Sequence, residues 1–163
     1  MTTPATITIQ RTYDAAMDDV WEMWTTKEGI ESWWGPEGFT VTVQTLQLRP
    51  GGRLVYTMTA TGPDQIAFMK QAGMPVATTT SLRYDEIDPP RRLRYTNLVD
   101  FIPGVEAYEN GTLIELSASG DQTHLRVTID AMHAEEWTQR AVMGWESELG
   151  KLGKALAARP GRR

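Results

Sequence analysis

Apolar positions along the chain recur at every second residue, then at every third and fourth, then at every second again, and near the end at every third and fourth once more. Each switch of rhythm marks a change of backbone, because strand side chains alternate between two faces whereas helix side chains return to one face about every 3.6 residues. In ATITIQRTY, residues 5–13, Ile7 and Ile9 alternate with polar neighbours and predict a strand. Directly after it, Met17, Val20, Trp21 and Trp24 step by three and four and predict a helix, with Asp14 as its N-cap and Asp18 and Asp19 near the positive end of its dipole. A second short helix is predicted over Lys27–Trp33, ending by Trp34 because Gly35 and Pro36 both break helices.

From Phe39 the period returns to two, with Phe39, Val41 and Val43 on one face and Thr40, Thr42 and Gln44 on the other. Arg49-Pro50-Gly51-Gly52 is a turn, and Leu54, Tyr56 and Met58 alternate in the returning strand. Two further hairpins are predicted: Thr79–Ile87 with Leu93–Leu98 through Asp88-Pro89-Pro90-Arg91, and Thr112–Ser119 with His124–Ala131 through Gly120-Asp121. Residues 61–77 break the rhythm and read as a long loop with room for a helical turn, and residues 99–110 read as a second irregular loop. Over residues 134–158, Trp137, Ala141, Trp145, Leu149, Leu152 and Leu156 form one stripe of a long helix that Pro160 ends. One strand, two short helices, six strands in hairpins and a final helix make an α+β arrangement, in which a seven-stranded antiparallel sheet must curl round the long helix to bury its stripe. The expectation is a single domain over residues 1–163, with 159–163 as a frayed tail.

Composition narrows the function. A net charge of −5, with basic residues scattered until Arg159, Arg162 and Arg163, excludes a nucleic-acid footprint. The absence of cysteine removes disulfides, thiolate metal sites and a Cys nucleophile, which fits a cytoplasmic location. The first residues lack the basic and apolar segments of a secretory leader, and no apolar run approaches the roughly 18 residues of a membrane span. Six tryptophans and eight methionines must be housed, either in a core or around an adaptable apolar pocket.

Four stretches, RTYDAAMDDVWEMWTTKEGIESWWGP, LQLRPGGRLVYTM, YDEIDPPRRLRYT and GWESELGKLGKAL, occur in an order and at spacings that resemble the helix-grip superfamily of START-like and birch-pollen-allergen-like domains, often called SRPBCC. Within it the chain is most similar to the family named for the activator of the ninety-kilodalton heat-shock protein ATPase, and the similarity spans essentially its whole length. The resemblance implies an apolar cavity between the curved sheet and the C-terminal helix. It carries no shared catalytic motif.

The residues expected to face such a cavity are Trp34, Phe39, Tyr56, Met58, Tyr84, Tyr95, Asn97, Trp137, Ala141 and Trp145. Tyr56, Tyr84 and Tyr95 share an alternation face with Leu54, Leu82 and Leu93, so three phenols point inward. Such polar tips in an apolar cup suit a ligand pocket, although aromatic stripes are most often plain core. Trp33 and Trp34 are adjacent and cannot share a face: Trp33, three residues after Ile30, is expected in the core, and Trp34 at the cavity mouth. Phe68, Met69, Met74, Phe101 and Ile102 are candidates for a lid or for contact with a second copy in a homodimer. Glu86, two residues beyond Tyr84, falls on the same alternation face near a strand end and is expected at its solvent rim rather than as a buried carboxyl with a raised pKa in a site. His124 and His133 do not make a metal site, and no metal or cofactor is called for.

Three function classes follow from the resemblance and these residues. The first is binding of a hydrophobic small molecule such as a lipid, polyketide or aromatic metabolite, without defined catalysis. The second is a co-chaperone domain with a heat-shock protein as partner. The third is a cyclase- or hydrolase-type enzyme with Tyr84, Glu86, Tyr95 or Asn97 as acid–base groups.

Overall fold

The computed structural model describes residues 5–158. In chain order its elements are β1 (Thr6–Tyr13), α1 (Met17–Thr25), α2 (Lys27–Trp33), β2 (Phe39–Leu46), β3 (Arg53–Ala60), α3 (Pro63–Gln71), β4 (Ala77–Asp88), β5 (Arg92–Val99), β6 (Tyr108–Ser119), β7 (Gln122–Asp130) and α4 (Glu135–Ala158). The seven strands form one sheet in the order β1-β7-β6-β5-β4-β3-β2. Every neighbouring pair is antiparallel. The chain crosses from one edge of the sheet to the other through α1 and α2, the only crossover the sheet order requires.

Period-two patterning decides which face is buried. Leu54, Leu82, Leu93, Ile114, Leu125 and Val127 are at most 1% exposed and share one core with Leu149 and Leu152 of α4. The opposite face carries charge: Arg83 pairs with Asp85 and Glu109, and Arg92 with Glu86 and Glu115. Exposed pairs of this kind add little stability each, so the inner face holds the sheet to the helix. The 24 residues of α4 rise about 36 Å, enough to span the sheet. Its middle is tied to the first strand by the Tyr13 hydroxyl, which donates to the Leu149 carbonyl at 2.8 Å. Burial pushes the Tyr13 phenol up to about 12, so it remains a donor.

Three departures from the sequence pattern stand out. Ala16, not Asp14, is the N-cap of α1, and it offers no side-chain cap. The approach to the helix is instead fixed by the Thr123 hydroxyl, which donates to the Ala15 carbonyl at 2.7 Å. Residues 63–71 form the helix α3 inside what the broken rhythm suggested was loop. Its signals are local: Pro63 in the first turn, where its missing N–H costs nothing, Asp64 near the N-terminus and Lys70 near the C-terminus.

The third departure is a bulge. Tyr84 pairs with Tyr95 but Glu86 pairs with Arg94, so one extra residue lies between them on β4. The slip hands the inner face to Ile87, which pairs with buried Leu93, and turns Glu86 outward to Arg92 at 2.7 Å. Glu86 is therefore exposed to solvent as expected, but on the outer face of the sheet rather than the inner one. The tail expected at 159–163 and Pro160 lie outside the described residues.

The α1–α2 corner depends on one threonine and one glycine. Thr26 closes α1 with its backbone N–H on Glu22 O and opens α2 with its side chain accepting from Gly29 N at 3.0 Å. At Gly29 the two helices approach so closely that a Cβ would fall on the Glu22 carbonyl oxygen and 2.8 Å from Met23 Cα. Gly150 of α4 has nothing within 4 Å of its Cβ position. Gly29→Ala should therefore lower stability by at least about 2 kcal/mol despite alanine's better helix propensity. Gly150→Ala should raise it by about 0.5–1 kcal/mol. Urea denaturation of the two variants checks both signs.

Candidate functional site

Beside its core-forming residues Leu149 and Leu152, α4 meets the connection between α2 and β2. Trp34, the C-cap of α2, is extended, and Gly35 follows at φ +87°, a conformation that leaves the side chain of a non-glycine residue strained. Three polar side chains of α4 then hold the backbone of this connection. Gly35 N donates to Glu148 Oε1 at 2.8 Å, Glu37 N donates to Ser147 Oγ at 2.9 Å, and Lys151 Nζ donates to the carbonyls of Gly35 at 2.8 Å and Phe39 at 3.3 Å.

This arrangement leaves a cavity of about 190 Å³ between α4 and the sheet. Its walls include Trp33, Trp34, Tyr56, Tyr95, Trp145 and Glu148. Trp34 stands edge-on to Tyr56, with ring centres 5.4 Å apart, and lies tilted to Tyr95 at 6.3 Å. Trp145 is supported from behind by stacking on Trp24 at 5.8 Å. Trp33 is fixed by its Nε1–H, which donates to Met23 O at 2.7 Å. The buried Nε1–H of Trp34, by contrast, has no hydrogen-bond partner. A buried donor left unmade costs on the order of 1–3 kcal/mol, a cost a ligand oxygen would relieve.

Outside the cavity lies an open groove of about 530 Å³ whose walls are almost wholly apolar. Phe39, Phe68, Met69, Met74, Trp137 and Met143 line it, and Tyr56, Met58, Thr80 and Phe101 line both spaces. Arg140 lies between the rings of Trp137 and Phe68, at 4.9 and 5.4 Å, with its guanidinium on Glu136 at 2.9 Å.

The electrostatics centre on Glu148. Burial pushes its carboxyl up from 4.5 to about 7, against the opposing influence of the Gly35 N–H and the Lys151 charge. The Tyr56 phenol is raised by burial and by the charges of Glu148 and Asp100. Tyr95 is raised well above the usual phenol value by burial, helped by Tyr56, Glu148 and Tyr84. Both phenols are therefore neutral at any physiological pH, and Glu148 is the cavity group that titrates near neutrality.

Of the residues expected around the cavity, Trp34, Tyr56, Met58, Tyr95, Asn97, Ala141 and Trp145 line the inner space, and Phe39 and Trp137 line the groove. Tyr84 lines neither. It is 1% exposed in the packed core, its hydroxyl without a partner, because β4 carries it past the cavity to the closed part of the cup. Trp34 is 8% exposed and walls the inner space rather than the mouth. Phe68, Met69, Met74 and Phe101 form the groove, whereas Ile102 is buried and lines neither space. His124 lies on the outer face with Gln10 and Thr12, and His133 bonds the Tyr108 hydroxyl at 2.8 Å. Among the described residues, no three His, Asp or Glu are grouped to hold a metal.

Sequence reasoning missed Glu148. The apolar stripe was followed from Trp145 to Leu149, but position 148 lies three residues beyond Trp145 and seven beyond Ala141, on the same helix face. A carboxylate inside an apolar stripe was the available signal.

A seven-stranded antiparallel sheet gripping a C-terminal helix over an inner cavity is the helix-grip architecture. The chain belongs to the family described as "Activator of Hsp90 ATPase homolog 1-like protein", whose model matches residues 14–157. Among solved structures, it is similar to a protein from Chromobacterium violaceum, with a TM-score of 0.78 at 21% identity over 94% of this chain and 98% of that one. A protein of the same family name from Silicibacter pomeroyi gives 0.73 at 20% identity, covering 94% and 98% of the two chains. One from Mycobacterium smegmatis gives 0.72 at 21%, covering 96% and 93%. At such identities these likenesses establish the fold alone. No curated protein sequence matches the chain. No helix among the described residues is long and apolar enough to cross a membrane.

Glu148 also makes a stability prediction. Its folded pKa is raised, so the native state resists its ionisation: the effect is absent below about pH 4.5, grows as pH rises, and is complete above about pH 7. Glu148→Gln keeps an acceptor for Gly35 N and removes the charge. It should be more stable than the parent by about 3 kcal/mol at pH 8, with the difference vanishing near pH 4.5. Thermal denaturation across this range measures it, and a difference that does not vary with pH would contradict the assignment.

Proposed function

We propose that the protein binds a small, mainly apolar molecule with its polar end in the inner cavity and its apolar part in the groove, as a carrier, sensor or protective binder. The observation that carries this reading is the continuity of the two spaces across Tyr56, Met58, Thr80 and Phe101, together with the buried Trp34 Nε1–H inside, which the fold leaves without a partner. Apolar walls with a few convergent polar groups are the usual make-up of a ligand site. Size limits the ligand. The cavity of about 190 Å³ equals the volume of roughly six waters, room for a headgroup or one ring, so anything larger must extend into the groove.

The enzyme reading loses two of its expected groups, since Glu86 faces outward and Tyr84 lies outside the cavity. Asn97 keeps its place in the cavity wall, but its amide already donates to Asn110 O and Thr112 Oγ1. The co-chaperone reading rests on the family description, and stimulation of a ninety-kilodalton heat-shock protein ATPase by this chain would establish it.

Thermal shift and native mass spectrometry over a panel of single-chain lipids and aromatic metabolites test the proposal. A ligand at a hundred times its Kd should stabilise the protein by about 2.7 kcal/mol, or about 5–10 °C in Tm. Ala141→Phe, which places a ring in the cavity wall, should abolish the shift while leaving the unliganded protein folded. A panel without any shift or bound mass would count against a binding role.

A further inference from the structure

The cavity's unspent charge is of one sign, and this specifies the charge of its ligand. Its amide and ammonium donors are already committed. The Asn97 amide donates to Asn110 O and Thr112 Oγ1, the Asn110 amide to Asp130 O, and the Lys151 ammonium to the carbonyls of Gly35 and Phe39. What remains is a carboxyl group, several ring faces and one buried indole donor, the Trp34 Nε1–H. Glu148 receives one hydrogen bond, from Gly35 N, and makes no ion pair among the described residues. Trp34, Tyr56, Tyr95 and Trp145 surround the same space. Aromatic faces attract cations through the negative potential above the ring, and a desolvated carboxylate needs a counter-ion. An anionic ligand would meet neither of these needs, and an acceptor alone would serve only the Trp34 Nε1–H.

We propose that the inner cavity takes the cationic end of an amphipathic amine, with Glu148 as its counter-ion, the rings of Trp34, Tyr56 and Tyr95 as its cage, and the apolar groove as the seat of its tail. This rests on the ligand-binding reading above and names the ligand's chemical class. The unpartnered Trp34 Nε1–H adds a preference for an oxygen beside the amine, as in an amino alcohol.

The charged and titratable groups around Glu148 are few: Lys151 on its own helix, Tyr56 on β3, Tyr95 on β5 and, acting on Tyr56, Asp100 after β5. Neither phenol ionises below pH 9, since burial raises both. At the mouth, Arg140 is paired with Glu136 and adds no free charge. Between pH 5.5 and 8 the change in the cavity's charge is therefore the ionisation of Glu148, whose carboxyl titrates at about 7.

Octylammonium, octanol and octanoate share one tail and differ in the charge of the head. Their binding can be followed by quenching of the cavity tryptophans in the full-length protein at pH 8 and pH 5.5. At pH 8 octylammonium should bind at least about tenfold more tightly than octanol, and octanoate more weakly than either. At pH 5.5 the preference for the amine should fall about tenfold or more, while octanol binding stays constant. Glu148→Gln should remove the preference at both pH values. The pH comparison on the unaltered protein stands even if that variant folds poorly. Equal or tighter binding of octanol or octanoate at pH 8, or a preference that survives at pH 5.5 or in Glu148→Gln, overturns the cation assignment and leaves the cavity as a site for other ligands. Binding of none of the three probes overturns the ligand-binding reading itself.

Discussion

The arrangement of this protein depends on how the C-terminal helix grips a short piece of backbone that cannot satisfy itself. Between α2 and β2 the chain must reverse, and Gly35 and Gly38 do so at positive φ. Such a reversal leaves peptide groups without helix or sheet partners, and groups buried in that condition are costly. Ser147, Glu148 and Lys151 supply the partners from one turn of α4. The same three bonds set the spacing between helix and sheet at this end. They fix the connection that carries Trp34, whose ring stands against Tyr56 and Tyr95.

A carboxylate is an expensive device for this purpose. A glutamine could accept the Gly35 N–H as well, without the cost of ionising in a largely buried place. Glu148 accepts one hydrogen bond and has no ion-pair partner among the described residues, and in the same cavity wall the Trp34 indole N–H has no acceptor. Among the described residues four buried polar atoms lack a partner: Trp34 Nε1 lines the cavity, Thr78 Oγ1 the groove, and Trp24 Nε1 and Tyr84 Oη neither, so it is the ligand space beside Trp34, not the missing bond alone, that sets it apart. Tyr84 is the instructive contrast. Its hydroxyl is equally unpartnered, but it lies in the closed core where no ligand space adjoins it, and the structure gives no functional reason for it.

How much of this could be read from the sequence follows from the range of each interaction. The strands, the hairpins and α4 were legible because alternation and helical spacing are local and repeated many times, as at Leu125, Val127 and Ile129 or from Trp137 to Leu156. The bulge at β4 was not, because one inserted residue leaves the pattern on either side intact while moving Glu86 to the other face. Helix α3 was hidden by weak amphipathicity: Met69 is its one buried residue, and Pro63, Asp64 and Lys70 carried the signal instead. The pair Trp33 and Trp34 was half legible. Adjacency required the two indoles to diverge, and Trp33 does enter the core, but the direction of Trp34 depends on α4, more than a hundred residues away, which draws Gly35 inward and Trp34 with it.

The long helix therefore serves three regions with one face. Leu149 and Leu152 fill the closed part of the cup, Trp145, Glu148 and Ala141 border the cavity, and Trp137 and Arg140 form the groove wall. A uniform stripe of large apolar side chains would have closed the whole length, since close packing leaves few voids larger than a water. The space exists because a small residue, Ala141, and a polar one, Glu148, interrupt the stripe where the sheet presents Tyr56 and Tyr95, rings too stiff to collapse into the gap. Filling position 141 and neutralising position 148 thus act on separate properties of the site, its volume and its charge, and the two can be varied independently on a single helix.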